Sequence, residues 1–208
     1  YAHGASDDAS GSATMLEGVR AFLANKTPHK NDIIILFSDA EELGLNGAAL
    51  FVTQSNWAKE VGLVLNFEAR GSAGPSYMLM EVNRGNANMV KEFTAANPSY
   101  PVSNSLMYSI YKMLPNDTDL TVFREQGKIQ GFNFAFIDNH FNYHTAQDDI
   151  NHLSPKTMEH QGTYLVPLLN YFSNSDLTSL QSSDDYVYFN TPFKFVSYPF
   201  SWVLPMVL

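Results

Sequence analysis

The chain has 208 residues, 45% of them apolar and 16% charged, which suits one folded domain with a sizeable core and excludes a disordered tail. Twelve Lys and Arg against 21 Asp and Glu leave a formal charge of −9, so no nucleic acid partner is expected: little in the chain would neutralise a phosphate backbone. The absence of cysteine removes disulfides, thiol nucleophiles and thiolate metal sites together, while leaving the redox compartment open.

Tyr1 is not an initiator and a motif begins by Gly4, so a longer N-terminus is expected. From Ser10 to Asn25 the residues Met15, Leu16, Val19, Phe22 and Leu23 fall at helical spacing. Asp32–Ser38 and Val61–Phe67 are β-branched runs without alternation, the pattern of strands buried on both faces, with a helix between them near Leu45–Gln54. A strand at Tyr77–Val82, helices at Asn86–Ala96 and Ser105–Met113, a strand at Phe132–Ile137 and a helix at Lys156–Phe172 follow. Alternating strands and helices predict an α/β fold.

Residues 173–190 form a Ser/Asp-rich stretch that reads as a linker, leaving 1–172 as the globular domain. Residues 191–208 end in an apolar run that reads as the opening of a transmembrane segment, shorter than the roughly 20 residues of a full span. A buried C-terminal strand or helix is the other reading of that run.

In open α/β sheets chemistry gathers at the carboxyl ends of strands. Asp39, Glu41 and Glu42 follow the 32–38 run, Glu68 closes the 61–67 run, His144 follows the 132–137 strand by one loop, and Asp7 and Asp8 sit in the glycine-flanked turn Gly4–Gly11. Carboxylates with imidazole and no sulfur suit zinc, manganese or cobalt. Adjacent Glu41 and Glu42 diverge, so one can bind metal while the other takes a proton from the attacking water.

Gly4-Ala-Ser-Asp-Asp-Ala-Ser-Gly11, Ser38-Asp-Ala-Glu-Glu-Leu-Gly-Leu-Asn-Gly47, Asn66-Phe-Glu-Ala-Arg-Gly71 and Tyr143-His-Thr-Ala-Gln-Asp148 together resemble the co-catalytic zinc aminopeptidases of the aminopeptidase Y type. Asn66–Gly71 and Asn116–Phe123 resemble more closely the membrane-anchored branch, the vacuolar and endoplasmic-reticulum metallopeptidases and their bacterial relatives. The resemblance implies a zinc exopeptidase fold: a three-layer sandwich with a mostly parallel, mixed central sheet and helices on both faces, its N-terminal strands missing from this chain. It implies two zinc ions, with Asp7 bridging them, Glu42 and His144 on one, and Glu68 on the other, where soluble members have Asp. Glu41 would be the general base and Tyr143 a substrate-binding donor to the developing oxyanion, its other reading being an aromatic packed at a loop base.

Asp8 would hold the turn, and Asp148 would either orient the His144 imidazole or cap the next helix. A His-x-Asp motif that the family carries on an upstream strand is absent from the chain, and His3 is a substitute to test. His29, His140, His152 and His160 read as solvated. The implied function is an aminopeptidase acting on peptide substrates, with its catalytic domain on the lumenal, vacuolar or periplasmic side of a membrane and the C-terminal segment as anchor. The alternatives are a single-zinc cyclotransferase, a carboxypeptidase, or a non-catalytic partner-binding ectodomain. Asn25-Lys-Thr27 and Asn116-Asp-Thr118 fit glycosylation acceptors.

Overall fold

The computed structural model describes residues 2–26, 28–114 and 117–208. Both glycosylation triplets and the Asn116–Phe123 motif run partly through Thr27 or Asn116, outside the described residues.

The elements follow in the order α1 (Ala9–Ala24), α2 (Asn46–Gln54), β1 (Val64–Ala69), β2 (Ala73–Glu81), α3 (Ala87–Ala96), α4 (Ser105–Tyr111), α5 (Asp119–Glu125), β3 (Gly131–Asp138), α6 (Pro155–Phe172), β4 (Tyr186–Asn190), β5 (Phe195–Pro199) and α7 (Val203–Val207). The central sheet has the order β1-β3-β2. β1 and β3 run parallel, and β2 returns antiparallel to β3, so the sheet is mixed, as expected.

Period-two alternation divides β3 between the layers. Phe132, Phe134 and Phe136 are fully buried on one face, the first two under α1, α3 and α6, while Gly131, Asn133 and Ala135 alternate with them on the other. Phe67 of β1 stacks on Phe134 with ring centroids 4.9 Å apart, and Met78 and Met80 of β2 complete that face. Full burial of each such side chain contributes about 2 kcal/mol. The second face carries α5 and α2 through a smaller cluster of Ala48, Leu120, Val122, Phe123 and Ile129. α1 crosses α6 closely at Gly18, where a Cβ would fall 2.2 Å from Leu165 Cδ2.

The 32–38 run is extended but joins no ladder, and among the described residues none of its backbone groups bonds to another backbone group. It is tied instead at its end, where the Ser38 hydroxyl donates to the Asp119 carboxylate of α5. Between this run and the unpaired edge of β1 lies an open cleft of about 1240 Å³. The β-branched residues set an extended backbone, but the cleft keeps the nearest strand out of hydrogen-bonding reach.

The C-terminal part differs from the linker-and-span expectation. Residues 173–185 pack on the body through Leu180, which is 1% exposed, and through Asn88 Nδ2, which donates to the Ser179 and Gln181 carbonyls. β4 and β5 pair as an antiparallel hairpin, with Tyr188 buried and Phe195 edge-on to Phe93 at 5.2 Å. Scattered apolar residues in a polar stretch suffice to dock it. Among the described residues no helix is long and apolar enough to cross a membrane. Phe200, Trp202, Leu204, Met206 and Val207 remain exposed.

Candidate metal centre

Because β1 and β3 are parallel, both deliver their carboxyl ends to one edge of the sheet, and the site forms there. The Asp7 loop reaches the same edge because α1 starts there. Asp8 caps α1 by accepting from Gly11 N at 3.1 Å. Gly11 is required at this contact, since a Cβ would stand 2.4 Å from the Asp8 carboxylate and 2.7 Å from the Phe67 carbonyl of β1.

Asp7, Glu42 and His144 each offer a ligand atom, and these atoms lie within 4.8 Å of one another. His144 Nε2 is 3.1 Å from Asp7 Oδ2 and 2.5 Å from Glu42 Oε1. Left-handed backbone sets two of the directions. Ala40 at φ 60 turns the chain just before Glu41 and Glu42, and His144 itself sits at φ 56. Non-glycine residues hold such angles at a cost of about 1–2 kcal/mol each, and sites that must aim a side chain are where it is borne.

Burial, then the proximity of Glu42, pushes the Asp7 carboxyl up to about 7. Glu68, 8% exposed, is pushed up to about 8 by burial and by the Asp7 charge, although Asn66 Nδ2 donates to it at 3.1 Å. Asp8 and Glu41 are raised as well, again first by burial. Crowded carboxyls that resist ionisation, grouped around an imidazole, form a donor set that a divalent cation relieves. Three O/N ligands in a compact cluster fit zinc. Glu68 interacts electrostatically with Asp7 and Glu41 but stands outside the compact cluster.

Asp148 does not orient the imidazole, nor does it cap the next helix, since the N-cap of α6 is Ser154. It is 1% exposed and accepts from Ser6 N at 2.6 Å and Asp7 N at 3.2 Å, so it clamps the Asp7 loop. Among the described residues, the His144 ring nitrogens meet only the other two members of the cluster. His3 is exposed and not part of the cluster, and His140 is exposed too. His160 is not solvated: its Nδ1 accepts from Ser76 N and its Nε2 faces the Tyr100 carbonyl, both at 2.9 Å. That pairing was hidden because Ser76 and Tyr100 are far from it in sequence.

Tyr143 stacks on His144 at 3.7 Å with 20° between the rings, and burial raises its phenol pKa. The Arg70 guanidinium, on the residue after β1, donates to the Tyr143 hydroxyl at 3.3 Å. Arg70 carried no assigned role in the sequence. Its position two residues past Glu68, at a strand's carboxyl end, was the available signal.

A profile of peptidase family M28 matches residues 1–169. The chain is 31% identical over 185 residues to endoplasmic reticulum metallopeptidase 1 of Rattus norvegicus, covering 88% of this chain and 20% of that protein. It is 30% identical over 185 residues to the vacuolar membrane protease of Candida tropicalis, with 88% of this chain and 20% of that protein covered. The chain thus spans about a fifth of the length of these relatives. Its fold superimposes with a TM-score of 0.65 on an aminopeptidase from Aneurinibacillus sp. strain AM-1, at 18% identity, over 87% of this chain and 42% of that one. Fold, acid-and-imidazole cluster and family profile agree: the chain belongs to peptidase family M28.

Proposed function

We propose that the chain carries the catalytic machinery of a zinc-dependent exopeptidase that removes N-terminal residues from peptides. The observation behind this reading is the compact Asp7, Glu42 and His144 cluster with Glu41 adjoining it in the chain. Zinc bound there would polarise a carbonyl and lower the pKa of water. Glu41 is half-buried and its carboxyl is raised by burial and by Glu42, which suits a base working near neutral pH. It takes the proton from the attacking water and returns it to the leaving amine. Tyr143 donates to the carbonyl oxygen as negative charge develops there.

Asp7, Glu42 and His144 would hold one zinc ion, and Glu68 together with Asp7 would hold a second. The unpaired β1 edge and the unpaired 32–38 run favour a strand seated in the cleft between them, the place for the His-x-Asp motif. The named relatives favour a membrane-associated organelle as the location. One observation favours a second reading, a single-zinc enzyme on the same fold: Glu68 stands outside the compact cluster.

The test is mass spectrometry of products from peptides with free and acetylated N-termini, using the full-length parent and its Glu41→Gln variant. Stepwise N-terminal loss from the free peptide alone is expected. In Glu41→Gln, kcat falls by roughly 10²–10⁴-fold with metal retained. Internal cleavage, or equal processing of the acetylated peptide, overturns the exopeptidase reading.

A further inference from the structure

Arg70 is half-buried, and among the described residues no carboxylate forms an ion pair with it. Nη1 donates to the Tyr143 hydroxyl at 3.3 Å, Nη2 donates to the Asp117 carbonyl at 3.1 Å, and Cζ lies 5.6 Å from the Tyr143 ring centroid. A guanidinium has donors and no acceptor, so in this contact the phenol oxygen accepts. Its own O–H must therefore point away from Arg70, and among the described residues no protein group accepts that proton. The ring is held in place by its stack on His144. The acceptor side of the phenol is satisfied by the protein, and its donor side is left for a ligand.

We propose that Arg70 is a positioning residue that fixes Tyr143 as a hydrogen-bond donor to the carbonyl oxygen of the bound peptide. This rests on the peptidase reading above and adds to it the group that sets the direction of the phenol proton. The Asp117 carbonyl anchors one arm of the guanidinium so that the other meets the phenol at a fixed angle. Lysine, a single point of charge on a flexible stem, cannot hold both contacts at once. A donor aimed at developing charge acts more strongly in the transition state than on bound substrate, so its loss appears in kcat rather than KM.

The test is steady-state kinetics on the zinc-loaded full-length parent with Arg70→Met, Arg70→Lys, Tyr143→Phe and the Arg70→Met/Tyr143→Phe pair. A second readout is the ring-carbon chemical shift of Tyr143 in ¹³C-tyrosine-labelled protein, assigned by its loss in Tyr143→Phe. Tyr143→Phe is expected to lower kcat roughly 100-fold and Arg70→Met about 10-fold, with KM nearly unchanged and the double variant no worse than Tyr143→Phe. Arg70→Lys recovers part of the loss, and the Tyr143 shift moves in Arg70→Met. Additive losses, a change in KM alone, or an unmoved Tyr143 shift overturns the proposal. A parent without peptidase activity whose Tyr143 shift still responds to Arg70→Met overturns the peptidase reading, and with it the role toward substrate, while the pairing stands.

Discussion

Replacing Asp148 with alanine removes the clamp beneath the Asp7 loop without touching any proposed metal ligand. Two backbone N–H groups, those of Ser6 and Asp7, lose a carboxylate acceptor, the first at 2.6 Å and the second at 3.2 Å. Ser6 is 1% exposed, so its N–H is left in a site with little access for water. Hydrogen bonds to charged groups contribute about 1.5–3 kcal/mol each, so the pair sums to about 3–5 kcal/mol, the longer bond counting less. Asp148→Asn keeps one acceptor oxygen and should lose about half of that. Urea unfolding of the metal-free proteins reads the stability, and calorimetric zinc titration reads the site. Zinc affinity is expected to fall roughly 10–100-fold in Asp148→Ala, because the Asp7 carboxylate is no longer held in place. A loss of stability below about 1 kcal/mol, or an unchanged zinc affinity, refutes this reasoning.

Three further outcomes follow from the geometry. Asp7 at about 7 and Glu68 at about 8 lie above their unfolded values, so the folded metal-free chain binds more protons than the unfolded chain. This contribution to stability is complete below about pH 4 and is lost as the pH rises through 7 to 8. The Tm of metal-free protein should therefore fall between about pH 5 and 8.5, with zinc restoring it most at the upper end; a rising Tm contradicts the assignment. Gly11→Ala, with its Cβ 2.4 Å from the Asp8 carboxylate and 2.7 Å from the Phe67 carbonyl, should cost about 1–3 kcal/mol in urea unfolding, and a neutral effect would contradict the close contact of α1 with β1. Phe134→Ala, fully buried against Phe67 and Tyr164, should cost about 3–5 kcal/mol without altering the site, measured in the same way.

Periodicity made most of the helices legible, because apolar stripes such as Met15, Val19 and Phe22 are set by the same burial that forms the layer. It missed α5, where four consecutive residues, Leu120, Thr121, Val122 and Phe123, are buried and leave no one-sided stripe to read. The 32–38 run shows the converse: residue type sets an extended backbone, while a ladder also needs a neighbour within reach. At the site, strand ends and adjacent acids brought the pairs Asp7–Asp8 and Glu41–Glu42, with Glu68 and His144, into view as candidates, and the family resemblance singled out Asp7, Glu42, Glu68 and His144 among them as ligands. Asp148 and His160 were misread because their partners lie far along the chain, 142 residues away for Ser6 and 84 for Ser76. The polar 173–185 stretch reads as a linker by average composition, yet one buried Leu180 and two bonds from Asn88 dock it.

The central claim is that these acids and His144 hold zinc for catalysis, and the most direct test is metal stoichiometry by mass spectrometry on the full-length parent beside its Asp7→Ala variant. Two zinc ions per parent chain, and loss of both when the Asp7 carboxylate is removed, are the expected result. A parent that binds no metal, or an Asp7→Ala variant that keeps its full complement, contradicts the account.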